Sequence, residues 1–324
     1  MNYKKMGRTG LDVSELCFGT MTFGNEADRE TSRTLFDRCR DEGINFFDCA
    51  DVYSNGEAER ILGGLISDCR EEVVITSKVY FSMGEGPNKA GISRKRIVRS
   101  VEESLKRLGT DYIDLYFLHH FDEATPLEES LRALEDVVRQ GKVVYVGASN
   151  FAAWQIAKGL GISRCNDWPA FSCIQPMYSL LKRQAEVELL PMAASEGVGV
   201  ITYSPLGAGM LTGKYLDGLS GEARFSHNTK YQVRYGEEWM QEATSRFVGY
   251  AREHGYDPAA LAVAWVAHHP AVTAPIIGAR NLEQLESSLS ARKIDMTGEL
   301  YQTITDMSPT PPPATDRIEE RSGL

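Results

Sequence analysis

Along most of the 324-residue chain, short apolar runs alternate with stretches whose apolar positions recur at helical spacing. Eight runs rich in Val, Ile, Phe and Tyr read as buried parallel strands: Leu16–Gly19, Asn45–Asp48, Val73–Ser77, Tyr112–Leu118, Val143–Gly147, Phe171–Gln175, Val200–Tyr203 and Ala274–Ile277. The helical pattern covers Arg29–Asp41, Glu57–Ser67, Ser93–Leu108, Pro126–Gln140, Ala152–Leu160, Gln184–Glu196, Trp239–His254, Pro258–His269 and Leu282–Ser290. Gly43, Gly109 and Gly141 each follow a helical run directly, where a left-handed residue ends a helix. Thr125-Pro126, with Glu128 and Glu129 behind, predicts an N-cap followed by proline at the first helical position.

Eight β-α units point to a closed barrel or to a long doubly wound sheet. A dinucleotide-binding sheet should carry a GxGxxG turn after its first strand, but the turn here reads Gly19-Thr20-Met21-Thr22-Phe23-Gly24. The expected fold class is therefore α/β, a (β/α)8 TIM barrel formed by the whole of residues 1–324 as one domain. Residues 1–10 are expected to cap its bottom, and the tail from Ser308, with Pro309 to Pro313 inside it, to run extended. The segment Leu216–Glu238 has no clear period and reads as a long loop over one barrel face.

Composition narrows the class without changing the fold. No apolar stretch is long enough to span a bilayer, and Met1 to Gly10 lacks the apolar core of a secretory signal. A net charge of −10 argues against a nucleic-acid surface. The six cysteines form no CxxC pair and read as free thiols of a cytoplasmic protein.

Chemistry in a barrel collects at the C-terminal ends of its strands. Asp48 ends the second strand, Tyr53 follows in the next loop, Lys78 lies just past the third strand, and His119 ends the fourth. Each has an ordinary alternative: a helix cap for Asp48, a loop aromatic for Tyr53, a surface cation for Lys78, a core histidine for His119. Together they suit proton donation to a carbonyl oxygen as its carbon takes a hydride. A lysine beside the phenol would lower its ordinary value near 10, and the aspartate would hold the lysine charged.

Asp48-Cys49-Ala50-Asp51-Val52-Tyr53 resembles the D-T-A-x-x-Y signature of aldo-keto reductases. Val74 to Lys78 and Asp111 to His119 resemble that family's third and fourth strands, and the likeness spans nearly the whole chain. Cys49 stands where threonine is usual, which leaves the Asp-to-Tyr spacing intact. The resemblance implies Tyr53 as general acid, Asp48 and Lys78 as the pair that tunes it, and His119 as an aid to orientation and proton transfer. It also implies NADPH as cofactor and a small carbonyl or alcohol as substrate.

Cofactor contacts carry over in the same way. The resemblance implies Ser149, Asn150 and Gln175 on the carboxamide, Tyr203 stacked on the nicotinamide, and Gly19, Thr20, Met21 and Asp48 around it. A helix cap before Phe151 is an equally plain role for Ser149 and Asn150. Ser204-Pro205-Leu206, with Gly209 and Lys214 beyond, resembles the loop whose amides wrap a pyrophosphate; the glycine spacing excludes a nucleotide-triphosphate P-loop. Arg224 resembles a residue that closes over the dinucleotide. Gly278 and Arg280 match the 2′-phosphate site and Gln284 an adenine contact, although Ser287 and Ser288 stand where an acidic residue and an asparagine are usual. A solvated helix-start charge is the alternative for Arg280. Phe23, Tyr80, Phe81, His120 and part of Leu216–Glu238 are expected to wall the substrate pocket.

Two other readings stand beside the reductase. A metal hydrolase would ligate through His119, His120, Asp48 and Asp51, but no HxH follows the first strand. A redox-sensing regulatory subunit, of the kind that relatives of the family supply to potassium channels, is the second; those relatives commonly lose the histidine that His119 represents here.

Overall fold

A computed structural model describes residues 1–216 and 229–321. A hairpin of β1 (Tyr3–Lys5) and β2 (Asp12–Ser14) precedes eight parallel strands. These are β3 (Cys17–Gly19), β4 (Phe46–Asp48), β5 (Val74–Val79), β6 (Ile113–Leu118), β7 (Val143–Ser149), β8 (Phe171–Gln175), β9 (Gly199–Thr202) and β10 (Ala274–Ile277). They close in sequence order, with β10 pairing both β9 and β3. The expected (β/α)8 barrel is what forms. The hairpin, longer than the expected ten-residue cap, brings Met6 and Val13 into the apolar cluster inside the barrel.

Helices α1 (Arg29–Asp41), α2 (Glu57–Ile66), α3 (Arg94–Leu108), α4 (Leu127–Arg139), α5 (Ala153–Asn166) and α6 (Leu189–Glu196) alternate with the strands through β9. After β9 come α7 (Thr229–Tyr235), α8 (Glu238–Glu253) and α9 (Pro258–His268), and after β10 come α10 (Leu282–Leu289) and α11 (Gly298–Thr305). Their apolar faces and the outward strand residues make one cluster, while Cys17, Phe46, Val74, Leu115, Phe117, Cys173, Ile201 and Ile276 fill the barrel itself. The division follows the two-residue period of strands: Phe46 points in and Phe47 out.

Several boundaries differ from the sequence expectation, each for a local reason. Pro191 tolerates only the first turn of a helix, so the run expected from Gln184 splits into a 3₁₀ turn, Gln184–Glu186, and α6. Pro126 is the cap position of α4 rather than its first residue, and the Thr125 hydroxyl donates to Asp122 instead. α5 runs on to Asn166, where Asp167 takes the left-handed ending conformation at φ 54°. The segment expected to be one loop contains α7, and α11, capped by Thr297, was not expected at all. Residues 217–228, with Arg224, lie outside the described residues.

α2 packs so closely on the end of α3 that a Cβ at buried Gly63 would lie 2.4 Å from the Leu108 carbonyl oxygen. At exposed Gly64, one position on, nothing lies within 4 Å. Gly63→Ala should therefore lower unfolding stability by roughly 1–3 kcal/mol through overpacking. Gly64→Ala should raise it by up to about 1 kcal/mol through helix propensity. Denaturant melts of the two variants check the contrast, and equal effects would contradict this packing.

Candidate active site

The period that fills the barrel also builds its mouth. On β5 the inward residues are Val74, Thr76 and Lys78; on β6 and just past it, Leu115, Phe117 and His119; on β8, Cys173 and Gln175. Thr76, His119 and Gln175 each stand two positions beyond an apolar residue on the same face, and Lys78 stands two beyond Thr76. The parallel register that sets Phe46 opposite Val74 brings Asp48 level with Thr76.

Lys78 is fully buried, and its ammonium spends its three protons on three oxygens. These are Asp48 Oδ2 at 2.6 Å, the Cys49 carbonyl at 2.8 Å and the Tyr53 hydroxyl at 3.0 Å. Asp48 Oδ1 accepts from Thr76 Oγ1 and from Gln175 Nε2, both at 2.8 Å. The carboxylate caps no helix, and Lys78 is no surface cation. The Tyr53 oxygen accepts from Lys78, and among the described residues nothing accepts the phenol's own proton. His119 stands edge-on to Tyr53 with ring centroids 6.1 Å apart.

Burial opposes charge on Lys78, but Asp48 and Tyr53 outweigh it and hold the ammonium above its ordinary range. The expected lowering of Tyr53 does not follow. Burial pushes the phenol up to about 12, against the opposing pull of Lys78, because losing water costs a phenolate more than one shared cation returns. Burial, then the Lys78 charge, puts His119 well below 6.5, so its imidazole is neutral. A neutral phenol beside a fixed ammonium is an acid ready to donate.

The loop that carries Tyr53 is pinned from behind by Asp51, singled out in the sequence only as a possible metal ligand, and by Arg96, Ser100, Glu59 and Arg107, which the sequence did not single out. Asp51 meets Arg96 of α3 at 2.8 Å and Ser100 at 3.0 Å. Glu59 of α2 accepts from Ser77 at 2.5 Å and from Arg107 at 2.6 Å. Beyond Tyr53 the backbone turns through Ser54, Asn55 and Gly56 at φ 47°, 53° and 89°, with the Ser54 hydroxyl on the Phe23 carbonyl at 2.6 Å. Left-handed residues with side chains cost about 1–2 kcal/mol each, and the buried ion pairs hold the turn against that cost. Thr76 could have been found by its place two residues before Lys78; Arg96 and Arg107 lie on a helix distant in sequence and carry no such signal.

Above this floor lies a cavity of about 1020 Å³. Tyr53, His119, Asp48, Gly19, Met21, Ser149, Asn150, Gln175 and Tyr203 line one end. Ser204, Pro205, Leu206, Gly209 and Lys214 continue the wall, and Gly278, Arg280, Gln284 and Ser288 close the far end. Thr20 does not line it; it is buried beneath, its hydroxyl on the Asp48 carbonyl at 3.0 Å. Ser149 and Asn150 do not cap α5, which begins past Ala152; instead Asn150 donates to the His119 carbonyl and accepts from the Tyr203 hydroxyl. Arg280 is half-buried and reaches Glu26 at 3.5 Å, so it is not a fully solvated charge. Phe81 and His120 line the cavity; Tyr80 does not, lying tilted behind His120, and Phe23 is core, packed on Phe18. Among the described residues no cluster of three or more His, Cys, Asp or Glu could hold a metal.

The profile of the aldo/keto reductase family matches residues 15–308. The chain belongs to that family. Its members act on small-molecule carbonyl substrates and generally use NAD(P)H. Aldo/keto reductase relatives similar to this chain include an uncharacterized oxidoreductase, YrpG, of Bacillus subtilis, 40% identical over 96% of this chain and 97% of its own. A probable voltage-gated potassium channel subunit beta of Oryza sativa is 37% identical over 98% of this chain and 99% of its own. Versiconal hemiacetal acetate reductase of Aspergillus parasiticus is 31% identical over 94% and 96%. This aldo/keto reductase is therefore an oxidoreductase, and none of its described helices is long and apolar enough to cross a membrane.

Asp51 offers a pH test of the pinned loop. Burial raises its carboxyl from 3.8 to about 6, with Arg96 pulling the other way. A folded value above the unfolded one adds stability that is complete below 3.8 and lost as pH rises through about 6. Wild type should therefore lose stability relative to Asp51→Asn between about pH 4 and pH 6, with little further change above. Denaturant midpoints across that range check the sign, and a difference that moves the other way contradicts it.

Proposed function

We propose that the protein reduces an aldehyde or ketone with NADPH, Tyr53 acting as general acid. The observation that carries this reading is the Lys78 ammonium, which gives one of its three hydrogen bonds to the Tyr53 oxygen and leaves the phenol's proton for a ligand. When bound, NADPH would supply the hydride. The cavity fits such a cofactor: it is continuous from Tyr53 to Arg280. At Gly278 an added Cβ would meet only the Gly19 carbonyl, at 3.8 Å, leaving room for a close ligand, and the Ser288 hydroxyl is buried without a partner.

Within that frame, Asn150, Gln175 and Ser149 orient the carboxamide and Tyr203 offers its ring. The loop from Ser204 to Lys214 holds the pyrophosphate, and Arg280 with Gln284 takes the 2′-phosphate and adenine. Tyr53 gives its proton to the carbonyl oxygen, and Lys78 beside it steadies the phenolate left behind. Neutral His119 donates to or orients the same oxygen. The six free cysteines, four of them buried, suit work in the cytoplasm. Likeness to a channel subunit keeps a redox-sensing role as the second reading; retention of His119 favours turnover.

Tyr53→Phe should cut carbonyl reduction by about 10²–10⁴ while NADPH affinity stays near wild type. NADPH absorbance with a reactive aldehyde, and a fluorescence titration of the cofactor, check both halves; near-normal turnover would remove Tyr53 from its role. Arg280→Ala should weaken NADPH about tenfold or more, the value of a charged hydrogen bond, and leave NADH nearly unchanged. Equal losses for the two cofactors would defeat the 2′-phosphate assignment.

A further inference from the structure

Among the described residues, the lysines and arginines on the cavity wall are Lys214, Arg234 and Arg280. The reading above gives Lys214 and Arg280 to the cofactor and leaves Arg234 without a task. Arg234 sits on α7, half-buried, with its guanidinium over the Tyr231 ring at 5.9 Å. It makes no ion pair with any described residue. Tyr235, the next residue, reaches Met177, which bridges to Tyr203, and Tyr203 donates to Asn150, so Arg234 stands on the Tyr203–Asn150 side of the cavity.

A half-buried guanidinium without a counter-charge is costly, the more informative in a chain of net charge −10 that has carboxylates to spare. Apart from the polar residues already placed at this end, its wall includes Met21, Val52, Phe81, His120 and Tyr231. Among the described residues the carboxylate at this end is Asp48, and both its oxygens are engaged by Lys78, Thr76 and Gln175. Among the described residues no carboxylate pairs with Arg234, which leaves its guanidinium open to an anion carried by a ligand. One guanidinium matches a single negative charge in a planar, two-oxygen acceptor.

We infer that the substrate is a carbonyl compound bearing a carboxylate, with Arg234 holding that carboxylate while the carbonyl meets Tyr53. This rests on the reductase reading and names its substrate class. The carboxylate takes no part in the bond changes: the carbonyl carbon gains hydride and its oxygen gains the Tyr53 proton. Apolar Met21, Val52 and Phe81 accommodate the body between the two polar ends.

The test uses 4-carboxybenzaldehyde and benzaldehyde with wild type, Arg234→Ala and Arg234→Lys. Calorimetric titration into NADP⁺-saturated protein reads binding, and NADPH consumption reads turnover. Wild type should favour the charged aldehyde roughly ten- to a hundredfold in both, the size of one charged hydrogen-bonded contact. Arg234→Ala should bring the ratio to about one through the KM of the charged aldehyde, with Arg234→Lys between. No preference in wild type, or a preference that survives Arg234→Ala, overturns the inference. So does an equal loss with both aldehydes that tracks weakened NADPH, which assigns Arg234 to the cofactor. If neither aldehyde turns over, the reductase reading fails, and the binding ratio still decides the role of Arg234.

Discussion

A lysine with no solvent exposure can stay charged only if every proton has an acceptor, and Lys78 meets that condition through Asp48, Cys49 and Tyr53. The arrangement needs β4 and β5 in one register, since a slip of one residue would turn Lys78 out of the barrel and Asp48 away from it. It also ties Tyr53, which lies outside any strand, to the barrel wall. Removing the Asp48 carboxylate would leave an uncompensated buried cation, a loss of about 3–5 kcal/mol. The proton-donating geometry and the stability of the barrel mouth therefore rest on the same contact.

Around that contact the protein builds two further shells. Thr76 and Gln175 fix the Asp48 carboxylate from β5 and β8, so three strands agree on where one carboxylate points. Behind the Tyr53 loop, Asp51 with Arg96 and Glu59 with Arg107 bind the turn to α3. Ser77, next to Lys78, bonds Glu59, so the same helices brace both the phenol and the ammonium. Five buried charges are a heavy load for a core, and their placement around one tyrosine is what they share.

Much of this was legible in the chain. The strand–helix rhythm announced the barrel, and the spacing from Asp48 to Tyr53, with Lys78 and His119 at later strand ends, announced the chemical face, because strand period and the strand-end rule act locally. What stayed hidden depended on tertiary neighbours. The sequence placed part of Leu216–Glu238 at the pocket, as Tyr231 and Arg234 bear out, but with no clean apolar period in that stretch it could not single out α7 or Arg234. Phe23 looks like a pocket wall in sequence, but packing on Phe18 draws it into the core. The direction in which Tyr53 shifts was misjudged for a related reason: a neighbouring lysine can be read from sequence, whereas the burial that outweighs it cannot.

The central claim is that Tyr53 is kept as a neutral acid by a site that buries it beside a fixed ammonium. An ultraviolet difference titration of wild type against Tyr53→Phe, following phenolate absorbance, measures this directly. The account predicts that no ionisation belonging to Tyr53 appears up to about pH 10, the ordinary tyrosine value. A phenolate signal from Tyr53 emerging at about pH 8 or lower would contradict it.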